Sequence, residues 1–140
     1  MKIDAQNLDV HPARPDEVDA VLALARSAAK SDGVAALNEE SLFALERLAP
    51  PARILVASRE GSPVGVLVDA QSDASGCDLV TAPDARRAGV ARALLVALDE
   101  SRSDTATPVR LWAHGDLPAA QAFAASLGAR KARAVSYTHL

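Results

Sequence analysis

The clearest chemistry in the chain lies in Arg86-Arg87-Ala88-Gly89-Val90-Ala91, two arginines and a glycine where a strand gives way to a helix. Leu79 and Val80 favour a strand, and Pro83 ends it because proline brings no ladder N–H. Ala91, Leu94, Leu95 and Leu98 then recur at helical spacing. The first backbone N–H groups of a helix have no intrahelical acceptor. They point outward with the positive end of the helix dipole. Gly89 has no side chain, so an anion can come up against its backbone. With the arginines adding charge, the stretch reads as a cradle for a pyrophosphate. The plain reading, a strand, a turn and a helix with basic surface residues, stands beside it. The loop is not a nucleoside-triphosphate P-loop, because Val90 and Ala91 follow Gly89 where Lys-Ser/Thr is required. With one glycine it is not the dinucleotide Gly-x-Gly-x-x-Gly either.

The same six residues resemble the Arg/Gln-x-x-Gly-x-Gly/Ala signature of the GNAT acyltransferases, with Ala91 in the last place. The resemblance implies acetyl-CoA as co-substrate. The pyrophosphate would rest on Arg87, Ala88, Gly89, Val90, Ala91, Arg92 and Ala93. The pantetheine arm would bond the backbone of Val80, Thr81 and Ala82. More narrowly, Asp32-Gly33-Val34-Ala35, the loop from Pro83 to Ala91 and Leu111-Trp112-Ala113-His114-Gly115 resemble the N-terminal half of the mycothiol synthase family. That family has two tandem GNAT domains and acetylates the cysteinyl amine of cysteinyl-glucosaminyl-inositol. The resemblance implies that Glu39 holds the sugar-bearing substrate, through hydrogen bonds to its carboxylate. The structural alternative is that Glu39 and Glu40 are acids at a helix N-terminus, where the dipole favours them.

Acetyl transfer to an amine also needs a base, and an acid for the departing thiolate. Asp78 stands at the start of the strand where many GNAT enzymes carry a basic carboxylate, and is the candidate base; its plain reading is a solvated acid at a strand end. His114 has a pKa range suited to a base, or packs beside Trp112. The usual acid of the family, a tyrosine in the last helix, falls here at Phe123-Ala124, and Tyr137 is the sole tyrosine. Cys77 reads as a small core residue rather than a nucleophile.

These groups need a scaffold. At 140 residues the chain is long enough for one domain with a sizeable core, and 49% hydrophobic residues argue against disorder. With 3% aromatics, that core is built from small aliphatic side chains. A net charge of −3 provides no general field for nucleic acid or membrane. One cysteine excludes an intrachain disulfide and fits a reducing cytoplasm. No cysteine–histidine cluster suggests a metal. The expected partners are acetyl-CoA and a small amine, on a monomeric chain.

Periodicity and turn chemistry predict a weak strand within residues 1–13 and a helix from Pro15 to the region of Lys30–Gly33, with Val18, Val21, Leu22, Ala25 and Ala29 inward. A second helix is capped by Asn38, buries Leu42, Leu45, Leu48 and Ala49, and stops at Pro50-Pro51. Two strands, 53–58 and 63–70, join through Glu60-Gly61-Ser62-Pro63 as a hairpin. Then follow the strand 78–81, the helix 91–101, a strand 109–113 and a helix capped by Asp116. The order predicts an α/β domain with a mixed sheet flanked by helices; it is similar to the order of the GNAT fold that the resemblance implies, over 1–135. After Gly128 at most one more strand fits, and Ser136-Tyr137-Thr138-His139-Leu140 reads as translated adapter sequence, a non-native tail. The natural protein is therefore expected to continue into a second GNAT domain.

Overall fold

A computed structural model describes residues 8–33, 36–48, 52–70, 77–85 and 89–101. The first strand, β1 (Leu8–Pro12), turns Leu8 and Val10 into the core and Asp9 outward, the period-two pattern of a strand covered unequally on its two faces. A 3-10 turn at Pro15–Glu17 leads into α1 (Val18–Asp32). Gly33 ends this helix in the left-handed region, φ 78°, with its N–H on Ala29 O at 2.8 Å. Helix α2 (Glu39–Arg47) is capped by Asn38, whose side chain accepts from Ser41 N at 2.7 Å. Strands β2 (Arg53–Arg59) and β3 (Ser62–Asp69) form the hairpin. Its turn has positive φ at both Glu60 (54°) and Gly61 (83°), the mirror-image turn whose twist suits paired strands. Strand β4 (Asp78–Thr81), a 3-10 turn (Pro83–Ala85) and α3 (Val90–Ser101) complete the described elements.

The strands lie in the order β1-β2-β3-β4, and every described ladder is antiparallel. The expected strand 109–113 and the last helix lie outside the described residues. Alternation along β2, β3 and β4 builds two cores. Ile54, Val56, Val66, Val68 and Val80 face α1 and α2, meeting Val21, Leu24, Ala25, Ala28 and Leu45. Leu55, Ala57, Leu67 and Cys77 face α3, meeting Val90, Leu94, Ala97 and Leu98. Full burial of one such aliphatic side chain contributes about 1.5–3 kcal/mol, so the layers hold each other.

Two expectations need correction. On α2 the inward positions are Ser41 and Leu45, while Leu42 and Phe43 are exposed. The capped first turn rotates Ser41 inward, and the Phe43 ring is covered on its outer face by Arg47, 5.0 Å from the centroid. On α1, Leu24 and Ala28 are buried where Leu22 and Ala29 are only partly so, because the face turned to the sheet is Val21, Leu24, Ala25 and Ala28 at i, i+3, i+4 and i+7.

Between β1 and the start of α1, His11 Nε2 bonds Glu17 Oε2 at 2.8 Å. Its Nδ1 faces Asp9 Oδ2 at 3.3 Å, a contact of charge without hydrogen-bond alignment. Glu17 Oε1 accepts from Arg14 N at 2.9 Å. Burial alone would raise the Glu17 carboxyl. The hydrogen bonds from His11 and the Arg14 amide, with the charges of both residues, hold it below its ordinary 4.5. Such a group binds fewer protons folded than unfolded. Its contribution to stability is whole above pH 4.5 and is lost as pH falls through the lowered folded value. Glu17→Gln should therefore cost roughly 1–2 kcal/mol at neutral pH in urea unfolding, and the gap from wild type should close as pH falls below 4.5 through the lowered folded value. A gap that stays constant with pH would show that the carboxylate charge contributes nothing.

Candidate functional site

The site is built from the end of β4 and the start of α3. Ala82 N donates to Val64 O at 2.8 Å, which fixes the phase of the β3–β4 ladder. With Val66 opposite Val80 and Gly65 opposite Thr81, bonded pairs alternate with unbonded ones. Val80 therefore directs its N–H and C=O to β3, and Ala82 directs its N–H there. Thr81 directs both of its groups away from β3. Ala82 O is also occupied, accepting from Ala85 N at 2.9 Å in the 3-10 turn. Of the three residues expected to bond a pantetheine through the backbone, Thr81 alone has its phase turned outward.

Gly89 precedes α3 with φ 81° and is exposed. Its carbonyl accepts from Ala93 N at 3.0 Å, closing the first helical turn. The amide of Ala93 is thus engaged within the helix. Those of Val90, Ala91 and Arg92 precede the first intrahelical donor. Val90 and Arg92 diverge: the Val90 side chain is buried in the α3-facing core, and the Arg92 side chain is exposed. Ala91 is half-buried. Arg87 and Ala88 lie outside the described residues. The first turn of α3 contains no acid, whereas α1 has Asp19 there and α2 has Glu39 and Glu40.

Asp78 is not a solvated strand-end acid. It is completely buried, on the face of β4 that meets α1 and α2, and its Oδ2 accepts from Asn38 N at 2.8 Å. Asn38 in turn caps α2, so one chain of hydrogen bonds runs from β4 to the residue beside Glu39. Two residues singled out separately, Asp78 and Glu39, are brought to one corner of the fold. Glu39 itself is exposed in the first turn of α2. Cys77 is buried in the core, as its chemistry predicts. His114, Trp112, Phe123 and Tyr137 lie outside the described residues.

One residue that sequence reasoning passed over is Gly65, directly opposite Thr81. It was visible as an isolated glycine in a strand pattern, a sign of close backbone approach. A hollow lined by Pro12, Ala13, Leu48, Arg53 and Ser101 lies at the other end of α3, roughly 18 Å along the helix from Gly89, and is separate from this site.

A family profile described as "Acetyltransferase (GNAT) domain" matches residues 50–128, a span that contains β4, Gly89 and α3. The chain belongs to the GNAT acetyltransferase family. Among curated relatives, the mycothiol acetyltransferase of Clavibacter sepedonicus is 42% identical over 125 residues, covering 89% of this chain and 40% of that protein. The mycothiol acetyltransferase of Thermobispora bispora is 42% identical over 122 residues, covering 86% and 40%. The chain spans about two fifths of the length of the relatives it matches. Among solved structures, an aminoglycoside acetyltransferase from an uncultured soil metagenomic sample, in complex with trehalose, superposes with TM-score 0.66 at 18% identity over 97% of both chains. A putative acetyltransferase from Agrobacterium tumefaciens str. C58 gives 0.64 at 22% identity, over 91% of this chain and 96% of that one. These likenesses establish the GNAT fold. No described helix is long and apolar enough to cross a membrane.

Within the GNAT frame, Asp78 is first an anchor for α2. Asp78→Ala should destabilise the chain by roughly 1–3 kcal/mol, because it removes a buried acceptor and leaves the part-buried Asn38 amide without it. It should also raise deuterium exchange across residues 38–41. Asp78→Asn keeps an acceptor oxygen and should lose less than half as much. Equal losses in the two variants would show that this bond is not what anchors the helix.

Proposed function

We propose that this chain binds acetyl-CoA and takes part in moving its acetyl group to a primary amine, the cysteinyl amine of cysteinyl-glucosaminyl-inositol. The observation that carries the reading is the pairing of Thr81, whose backbone groups turn away from β3, with the first-turn amides of α3, which precede the helix's first intrahelical donor. One offers an amide edge to an amide-bearing arm. The other offers donors and a dipole to a diphosphate. Sequence likeness to mycothiol acetyltransferases, near 40% identity over stretches that cover most of this chain, supports the choice of acceptor.

In this reading Thr81 holds the pantetheine arm, flanked by Val80 and Ala82, which supply walls rather than backbone bonds. The amides at Gly89, Val90, Ala91 and Arg92 receive the diphosphate. Arg87, Ala88 and the Arg92 guanidinium complete that side, and Ala93 contributes its methyl packing. The co-substrate supplies a thioester: the amine forms the new C–N bond, the C–S bond breaks, and the amine's proton leaves as the thiolate gains one. Glu39 provides a carboxylate for the hydroxyls or ammonium of the acceptor. The domain spans 1–135, residues 136–140 are a non-native tail, and a second GNAT domain follows in the natural protein. The enzyme is cytoplasmic, works as a monomer, and needs no metal.

A second reading is favoured by one specific observation. Asp78, the candidate base, is completely buried and already accepts the Asn38 amide. A carboxylate so engaged is poorly placed to take a proton from an incoming amine. On that reading this domain binds CoA without turnover, and the transfer belongs to the following domain.

Titration calorimetry with CoA, then an acetyl-CoA turnover assay with cysteinyl-glucosaminyl-inositol, tests both. CoA should bind, and Gly89→Val should weaken it by at least about tenfold, since a β-branched residue is strained at φ 81° and fills the approach. Arg92→Ala should weaken it less and flatten its salt dependence. Absence of CoA binding removes both readings; binding without turnover leaves the second.

A further inference from the structure

We propose that Gly65 is the positioning residue of the CoA site, a role that rests on the CoA reading above. It sets how deeply the first turn of α3 seats against the sheet, and so brings the diphosphate donors and the Thr81 backbone within reach of one ligand. Gly65 lies on β3 opposite Thr81 and beneath α3. A Cβ built there would fall 2.5 Å from Val90 Cγ1, 3.1 Å from Leu94 Cδ1 and 3.3 Å from Val80 O. The first contact is closer than packed carbon atoms approach.

The obstruction has no easy release. Val90 is β-branched, with one strongly preferred rotamer in a helix, and is 2% exposed. Leu94 is fully buried against the same surface. A side chain at residue 65 must therefore lift the start of α3 away from β3. Val90 is also the residue that follows Gly89, so the lift carries the amides of the turn with it. Thr81 stays behind, held by the β3–β4 ladder. Gly33 and Gly61 make the contrast: a Cβ at either would meet nothing within 4 Å, and both are glycine for their positive φ. At Gly65 the requirement is space.

CoA joins two recognition elements through a covalent linker, so its affinity depends on their separation as well as on each alone. A shift on the order of 1 Å between them lowers affinity for the whole ligand without removing either subsite. The shorter fragment adenosine 3′-phosphate 5′-diphosphate needs only the turn of α3.

The test is a double-mutant cycle on the full chain, with dissociation constants for CoA by calorimetry and for the fragment by ligand-observed NMR. Gly65→Ala should weaken CoA by about tenfold and leave fragment binding within about twofold. In a Val90→Ala background, where the obstructing methyl groups are gone, the same Gly65→Ala change should weaken CoA by less than about threefold. That selective loss and its relief are not what general destabilisation produces. The proposal is overturned if Gly65→Ala leaves CoA affinity unchanged, if CoA and the fragment weaken equally, or if Val90→Ala brings no relief. Wild-type chain that fails to bind CoA would instead overturn the underlying function, an outcome separable from these three.

Discussion

Ala82 donates to Val64 across 2.8 Å, and that bond decides which way every polar group of β4 points. A strand has period two, so a slip of one residue exchanges both its faces and its edges. Slipped, β4 would turn Thr81 toward β3 and put Val80 in its place outward. It would also swing Asp78 away from α2 and bring Leu79 under it. The ladder is held in phase by an irregularity on its other side. Pairing of β2 with β3 shifts between Ala57 and Ser58, so Val64 has no partner on β2. Its carbonyl is left to face β4, where it takes Ala82. A bulge of this kind re-aims a strand next to a site.

The same phase explains why a carboxylate sits in the interior. Asp78 shares a face with Val66, Val68 and Val80, an apolar neighbourhood in which an unpaired charge is costly. It is met by the amide of Asn38 at the start of α2, where the helix dipole is positive. The bond spans 40 residues of sequence and joins the strand carrying Thr81 to the helix carrying Glu39. A buried bond of this sort costs about 1–3 kcal/mol to lose, more than most surface contacts contribute. It therefore fixes the orientation of α2 better than the modest stripe of Ser41 and Leu45 does alone. Leu42 and Phe43 can remain outside because the seating of the helix does not depend on them.

What the sequence made legible was local. Asn38 announces a cap, Gly33 a helix end, and Glu60-Gly61 a hairpin turn, because each acts on a backbone group a few residues away. The apolar stripe of α3 was readable for the same reason, and its core residues Leu94 and Leu98 are both buried. The family signature around Gly89 was legible too, as a motif contained in six consecutive residues. Burial of Asp78 was not, since nothing near it in sequence supplies the amide that receives it. Gly65 carried a faint signal, but its reason is Val90, 25 positions along by the numbering, which only the packed layers bring overhead. The phase of β4 likewise depends on a bulge in another strand.

The three helix starts differ in charge. Acids in a first turn stabilise a helix by roughly 0.3–1 kcal/mol each, and α1 and α2 follow that rule with Asp19, Glu39 and Glu40. Helix α3 breaks it, with no acid and with Arg92 in the opening turn. For folding alone this is a small loss, repeated in the two arginines just before Gly89. In a chain of net charge −3 the positive sign is not a general surplus spilling over. A local rule broken in the same place as a left-handed glycine, a close-packed Gly65 and an outward-turned Thr81 supports the proposed binding site, since sites commonly break local rules at a cost to stability. An anion at the turn reverses the sign of every one of those electrostatic terms, since it meets the amides, the dipole and the guanidinium together.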